Sequence, residues 1–493
     1  MITLAAQAAE HSNLALSLTL LAVDWSIRIV LSLRVVMRRV SVPTTLAWLL
    51  LLLFIPLVGI FLYAMIGENR LGSRRAARAA DISSELDSKA RAIWTLTHDD
   101  WSAKGASYTT LAKLGTAVSG LPPLRGNDLE LLSEAHNVLE RLIADIDAAK
   151  GHCHLLYYIW MPTGRGVAVA EALIRAAERG VACRVLVDSV GSKQFLRSDL
   201  PDRMRAAGVR VVEALPVNPL RMLLARVDLR NHRKIAVIDG LIAYTGSQNL
   251  TDETFTSRKR RKVGPWIDAT VRLRGPAVTA LQTIFLSDWL LDSEENIESL
   301  EGLLCPCAPM GPSVVHVIAS GPGARPEAIR QAVLTLLYSA REEIVMSTPY
   351  FVPDEATRTA LQNAALRGVG VTLVMPDHLD ARVVAAAARS HYDDMLNVGI
   401  KVLLHEEGLL HAKTFTVDRK VAVVTSANFD TRSFWLNFEA SLFIYDEHFA
   451  RKLLALQKKY MSESTEVNPD QWRRRAVWKR LIDNTAQLFG PLL

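Results

Sequence analysis

Two imidazoles and two ammonium groups recur at one spacing in this chain of 493 residues. His232-Arg-Lys234 runs on to Asp239 and His411-Ala-Lys413 runs on to Asp418, the same His-x-Lys-x-x-x-x-Asp pattern twice. Ser247 and Asn249 follow the first copy at the distance at which Ser426 and Asn428 follow the second, with no gap between. Neutral imidazole is both a nucleophile and a proton carrier near neutral pH, and lysine is a compact positive charge. Amide and hydroxyl side chains donate hydrogen bonds to anionic oxygens. A duplicated set of these groups suits one task, holding a phosphodiester and cleaving it through a phosphohistidine. The candidate catalytic residues are therefore His232, Lys234, Asp239, His411, Lys413 and Asp418, with Ser247, Asn249, Ser426 and Asn428 as candidate phosphate-binding residues.

The elements that must position these groups are legible around them. Val237-Ile-Asp-Gly240 places an Asp-Gly pair between β-rich runs, the mark of a two-residue hairpin turn. Folding there sets Ile238 opposite Leu241, Lys234 opposite Thr245 and His232 opposite Ser247, with His232 and Lys234 on one strand face. Asp239 and Asp418 fall in the turns, where they shape or anchor them rather than react. Asp418-Arg419 suits positive φ less well than Asp-Gly, so the second hairpin is expected to differ slightly. A strand-like run bearing Asp268 follows the first ladder and another bearing Glu439 follows the second. A buried carboxylate accepting from imidazole Nδ1 would fix the tautomer and stabilise the imidazolium, so both are candidate orienting acids.

Beyond the motifs, the strand-like His154–Trp160, the helical run to Arg179 and the strand Val181–Val187 recur in outline later in the chain. Ala176–Val181 corresponds to Ala364–Val369, and Gly208–Val212 to Gly399–Leu403. Alternating strands and helices argue for an α/β fold with a largely parallel sheet, present twice and related by a pseudo-twofold axis. The expected division is an N-terminal membrane segment over 1–67, a juxtamembrane connector over 68–123, and two α/β domains over 124–303 and 313–493. The Pro- and Gly-rich Leu304–Pro312 forms the seam.

Half the residues are hydrophobic, the net charge is +6 and the pI is near 9.1, which suits an acidic membrane surface or another anionic partner. Val40–Gly67 carries no charge, and its nearly all-apolar Leu46–Ile66 is long enough for a bilayer core of roughly 30 Å. Leu14–Val36 is apolar but holds Asp24, Arg28 and Arg34; it reads as a second span or as an interfacial helix, with Asp24 and Arg28 able to pair at i,i+4. Arg34, Arg38 and Arg39 precede the stronger span, and Arg70, Arg74, Arg75 and Arg78 follow it. The larger downstream cluster favours a cytoplasmic main body. If both segments cross, the upstream cluster is stranded on the wrong side. Four cysteines in a chain this long do not make a disulfide framework.

The paired motifs, each followed by Ser-x-Asn, resemble the phospholipase D superfamily. More narrowly, the chain is similar to the bacterial cardiolipin synthases of that type. Gly67-Glu-Asn-Arg-Leu71, Asn231-His-Arg-Lys234, Tyr244-Thr-Gly-Ser247, Thr348-Pro-Tyr-Phe351 and Arg432–Glu439 carry the likeness. Thr425, where the family has Gly, departs from it locally. The resemblance implies a bacterial inner-membrane enzyme that transfers a phosphatidyl group from one phosphatidylglycerol to another, releasing glycerol. His232 would attack phosphorus while His411 protonates the leaving glycerol; the lysines and asparagines would hold the non-bridging oxygens, with no metal and no cofactor. The near-symmetric pair by itself leaves open which imidazole attacks. A hydrolase with water as acceptor has the same motifs. A nuclease is disfavoured by the membrane segment and by the lack of interleaved aromatic and basic segments, so no nucleic-acid partner is expected.

Three further features carry less. His152-Cys-His154 reads as structural rather than metal-binding, having no carboxylate partner. Ser257–Lys262 is a basic loop that could attract anionic headgroups, and Trp472–Leu493 fits an interfacial amphipathic helix or one packed on the catalytic body.

Overall fold

The computed structural model describes residues 2–38, 42–68, 71–94, 106–216, 226, 228–252, 264–300, 302–323, 325–379, 381–488 and 490. The basic run Ser257–Lys262 lies outside the described residues. The chain divides into two compact units, Met1–Ser73 with Val217–Asp228, and Arg74–Pro216 with Leu229–Leu493. The second unit contains both repeats. The expected connector contributes its helices Ser73–Trp94 and Ala106–Ser119, of which Ile82, Leu86 and Leu111 are buried in the cores of that unit.

The N-terminal unit corrects the reading of the apolar segments. Among the described residues one helix is long and apolar enough to cross a bilayer, Asn13–Met37, the segment that seemed the weaker of the two from its charges. Leu46–Ile66 is not a continuous span. It belongs to two short helices, Val42–Phe54 and Pro56–Ile66, broken where Pro56 lacks an N–H and pushes Ile55 out of helical geometry (φ −129°, ψ 69°). At about 1.5 Å per residue neither arm approaches the roughly 30 Å of a bilayer core. The arms fold back on each other: Trp48 meets Tyr63 edge-on at 5.2 Å, and Val35, Leu52 and Tyr63 share one small core.

Fold-back also returns Glu68 to the end of the long helix. Its carboxylate takes Arg34 Nε at 2.6 Å and Tyr63 Oη at 2.8 Å. Asp24 pairs with Arg28 as the spacing allowed, and Arg28 Nη1 donates to the Leu53 carbonyl at 3.0 Å. That carbonyl lies at the break between the two helices, where lipid has no donor to offer. Arg28→Leu therefore leaves the Leu53 carbonyl and Asp24 without this donor. We expect a lower thermal stability of the detergent-solubilised protein, with Asp24→Leu/Arg28→Leu less damaged than Arg28→Leu alone.

In the larger unit, sixteen strands form one sheet through both repeats. In the first repeat His152–Tyr157, Ala182–Asp188 and Arg210–Ala214 run parallel; in the second Glu343–Ser347, Gly370–Pro376 and Lys401–His405 do. The rest of the main ladder is antiparallel, so the sheet is mixed rather than largely parallel. The motif strand Lys234–Ile238 lies between His152–Tyr157 and its hairpin partner Ile242–Gly246; Thr414–Val417 lies likewise between Glu343–Ser347 and Val421–Thr425. The repeats join at Leu124–Leu132 and Ser313–Ser320, the latter pairing in turn with Asn437–Ile444. Every residue of Lys234–Ile238 and Thr414–Val417 is buried, because helices cover both sheet faces. One core runs through both repeats, from Val237 and Leu273 to Val424 and Leu442.

Both hairpins turn one residue differently from the expected pairing. Ile238 faces Ile242 and Ile235 faces Thr245, so the loop spans Asp239–Leu241. The second hairpin is the same, with Val417 facing Val421, and it does not differ as its sequence suggested. Asp418 and Arg419 hold φ of 52° and 57° where Asp239 and Gly240 hold 54° and 65°. Left-handed backbone at a non-glycine residue is unfavourable by about 1 kcal/mol. The Asp418 carboxylate offsets this by accepting from the backbone N–H groups of Arg341, Glu342 and Glu343 at 2.7–3.0 Å. Asp239 accepts in the same way from Lys150, Gly151 and His152. These two acids fasten the turns to the neighbouring strand, the anchoring role that their place in the turn suggested. Asp239→Ala and Asp418→Ala should each lower unfolding stability by about 1–3 kcal/mol, the scale of orphaned donors, while leaving kcat little changed.

Candidate active site

Each motif histidine is delivered by a two-residue parallel bridge to the other repeat. Arg230–Asn231 pairs with Asn437–Phe438, and His232 N–H continues the ladder to the Phe438 carbonyl at 2.9 Å. Leu409–Leu410 pairs with Trp266–Ile267, and His411 N–H reaches the Ile267 carbonyl at 2.8 Å. The next residue on each partner strand is an orienting acid, so the acids are exchanged. His232 Nδ1 donates to Glu439 at 2.9 Å, and His411 Nδ1 donates to Asp268 at 2.7 Å. The acid that follows each motif along the chain thus serves the other repeat's imidazole. Carboxylates only accept here, which fixes both rings as Nδ1–H tautomers with a free Nε2 lone pair. Tyr158 packs edge-on against His232 at 4.7 Å, and Trp266 packs against His411 at 4.4 Å.

The serines hold the acids. Ser247 Oγ donates to Asp268 at 2.6 Å and accepts from Ala269 N–H; Ser426 Oγ donates to Glu439 and accepts from Ala440 N–H. Both hydroxyl protons are thus donated to the orienting carboxylates in this structure. Asn249 Oδ1 accepts from Ile159 N–H at 3.1 Å, while its Nδ2 is buried with no protein partner, as is Asn428 Oδ1. Lys234 and Lys413 are fully buried and donate to the carbonyls of His232 and His411 at 2.5 and 2.7 Å.

Burial dominates the electrostatics of this cluster. Desolvation holds both imidazoles down to about 4 despite the carboxylate beside each. It brings Lys234 down to about 8 and Lys413 to about 7, again outweighing the attraction of Glu439 and Asp268. The two acids stay ionised: each is pulled below its usual range by its histidine, a lysine and its serine, which together exceed the cost of burial. The groups form one system, since Lys413 is felt by His232 and Lys234 by His411. An incoming phosphodiester would restore the lysines' charge and raise an imidazole into the range of a proton carrier.

Several supporting residues carried no role in the sequence reading. Arg233 is buried and ties the first motif to the second repeat: Nη1 binds Asp288 at 2.6 Å, Nη2 the Ser320 carbonyl and Nε the Glu439 carbonyl. Asn231 Nδ2 also binds Asp288, and its N–H reaches Asp188. A charged residue between His and Lys where the second copy has Ala412 was the available signal. His152 and His154 stack on each other at 4.4 Å, and His154 Nδ1 meets Gln282, in keeping with a structural role.

Two imidazoles, two lysines and two exchanged carboxylates on a duplicated mixed α/β sheet define a phospholipase D-type transferase or hydrolase. A family model described as "Cardiolipin synthase, PLD-like domain" matches residues 142–289 and 333–460, and one described as "Phospholipase_D-nuclease N-terminal" matches 27–68. Cardiolipin synthase A of Yersinia pseudotuberculosis serotype IB (strain PB1/+) is 40% identical over 471 residues, covering 95% of this chain and 97% of the relative; that of Yersinia pestis is equally similar. The crystal structure of a phosphatidylserine synthase from Haemophilus influenzae Rd KW20 shares the fold, with a TM-score of 0.59 at 14% identity, over 78% of this chain and all of that one. The chain belongs to the cardiolipin synthase family, the phosphatidyltransferases of the phospholipase D superfamily.

Two outcomes test this geometry. Because kcat/KM reports the free enzyme, it should fall as pH rises above about 7, when Lys413 and then Lys234 lose their charge in the empty pocket. A profile flat from pH 6 to 9 would contradict the buried-lysine assignment. Asp288→Ala leaves Arg233 a buried, unpaired charge and should lower unfolding stability by about 3–5 kcal/mol, read by denaturant titration.

Proposed function

We propose that this site makes cardiolipin from two molecules of phosphatidylglycerol through a phosphatidyl-histidine. His232 Nε2 attacks phosphorus of the first lipid, the bond to the terminal glycerol oxygen breaks, and His411 gives that oxygen its proton. The terminal hydroxyl of a second phosphatidylglycerol then loses its proton to His411 and attacks phosphorus. The P–N bond breaks, releasing cardiolipin and neutral His232. Lys234, Lys413, Asn249 and Asn428 hold the non-bridging oxygens, and Glu439 and Asp268 stabilise each imidazole as it turns cationic. Asp239 and Asp418 anchor the turns, while Ser247 and Ser426 keep the two acids in place.

The exchange of orienting acids is the observation that carries this reading. It links each imidazole to the other repeat's acid within one buried cluster, and the 40% identity of the cardiolipin synthase A relatives supports the lipid acceptor. With labelled phosphatidylglycerol the enzyme should yield cardiolipin and glycerol, and enzyme denatured in detergent at neutral to alkaline pH, where the P–N bond survives, should carry label on His232. His232→Ala should abolish labelling and turnover together. Accumulation of phosphatidic acid instead, or label retained in His232→Ala, would overturn the assignment.

For the membrane we propose one crossing by Asn13–Met37 and a re-entrant hairpin over 42–66, in place of two crossings. A hairpin starts and ends on one side of the bilayer, so the chain leading into it and the chain leaving it share that side, which the positive-inside rule makes cytoplasmic. A cysteine at Val42 should then be labelled only from the cytoplasmic side.

A further inference from the structure

The C-terminal helix Val477–Gln487 meets the protein along a narrow seam. Asp483 and Ala486 are its buried residues. Ala486 packs with Ala386 and Ala387 of the helix Arg382–Ser390 and with Val352, small side chains that allow close approach. Asp483 is gripped from two sides, by Arg389 Nη2 at 2.9 Å and Arg475 Nη1 at 2.9 Å, and Arg475 itself lies 3.3 Å over the Trp472 ring. The double ion pair fixes the helix's rotation about its axis.

That rotation turns an apolar arc outward. At 100° per residue Val477, Leu481, Leu488, Trp478 and Ile482 fall within one side, centred well away from Asp483 and Ala486. Trp478, Leu481 and Leu488 stay 60%, 65% and 78% exposed, and Val383 of the supporting helix is exposed as well. A core helix presents such a stripe inward; here Val477, Leu481 and Leu488 are exposed, and Trp478 and Ile482 border a cavity open to solvent.

The charges bordering the arc are of one sign. Arg473, Arg474, Lys479 and Arg480 are exposed, Lys479 lies 5.6 Å over the Trp478 ring, and the nearby exposed acid Asp470 faces Arg473. An open cavity of about 420 Å³ beneath the helix is lined by Arg389, Arg475 and Lys479, by Asp483, which both arginines hold, and by Trp472, Trp478 and Ile482. Cations beside tryptophan and aliphatic side chains match the headgroup boundary of an anionic bilayer, where aromatic rings and basic side chains settle and chains begin. Within the arc only Thr485 is polar, which gives a protein partner little with which to fix its register.

We propose that this helix is a second membrane contact, lying in the headgroup layer of a bilayer containing anionic phospholipid with its apolar arc in the acyl boundary. Its support leads to the site: Val352, on which it rests, pairs with Asp430, two residues beyond Asn428. Docking this face braces the phosphate-holding loop of the second repeat against the surface that supplies the substrate.

The test uses the full chain in proteoliposomes and needs no turnover, so it stands or falls apart from the reaction proposed above. Emission of the protein is compared with that of Trp478→Phe, the difference isolating Trp478. Vesicles of phosphatidylcholine and phosphatidylglycerol with brominated acyl chains should quench the difference signal. Brominated phosphatidylcholine alone should quench it less, because the four exposed cations then lack their counter-charge. Leu481→Glu/Ile482→Glu should abolish the quenching and lower turnover several-fold on vesicles, while keeping wild-type turnover in detergent–lipid micelles. Equal quenching of wild type and Trp478→Phe would overturn the proposal. So would a Trp478 signal equally shielded in detergent and in vesicles, which would place a second copy of the chain on this face.

Discussion

The site depends on two buried hydrogen bonds that cross between repeats, His232 to Glu439 and His411 to Asp268. A neutral imidazole with a free Nε2 is a useful nucleophile only if its other nitrogen is held. A buried carboxylate is tolerable only if cations and hydroxyls surround it. Each requirement meets the other here, because the parallel bridges that deliver the histidines also deliver the acids. Neither repeat alone has a complete histidine–acid pair, so the joined sheet and the catalytic constellation are one constraint.

Duplication supplies the parts and departures from it separate them. One imidazole has a glutamate and the other an aspartate. The first motif is locked by Arg233 to Asp288 and to two carbonyls beyond its own repeat, whereas the second has Ala412 at that place. Burial brings Lys413 to about 7 and Lys234 to about 8. Because the two imidazoles and two lysines interact, their protons belong to the cluster as a whole. The near-symmetric framework therefore sets the site, and the asymmetries lie in what braces each motif.

In the N-terminal unit the same discipline governs polar groups in an apolar stretch. Pro56 breaks a helix where lipid offers no donor, and Arg28, itself paired with Asp24, reaches the Leu53 carbonyl there. Charges that weakened the case for the long helix as a span are thus part of what lets the neighbouring segment fold back. Asp483 plays a comparable part in the C-terminal helix, where one buried acid between two arginines decides which face is left outside.

The sequence by itself determined the reacting groups, the two repeats, the hairpins at Asp239 and Asp418 and the presence of an apolar N-terminal segment. Each is written in local spacing, through the periods of strand and helix and the chemistry of a turn. It also marked Asp268 and Glu439 as acids worth holding. Only the tertiary structure decided which acid serves which histidine, that the serines bond to the acids, and that 42–66 doubles back on itself. Those outcomes come from contacts between residues far apart in the chain, such as Asn231 beside Phe438 or Trp48 against Tyr63. Local periodicity has no way to encode a partner that burial and sheet pairing choose only once the chain is folded.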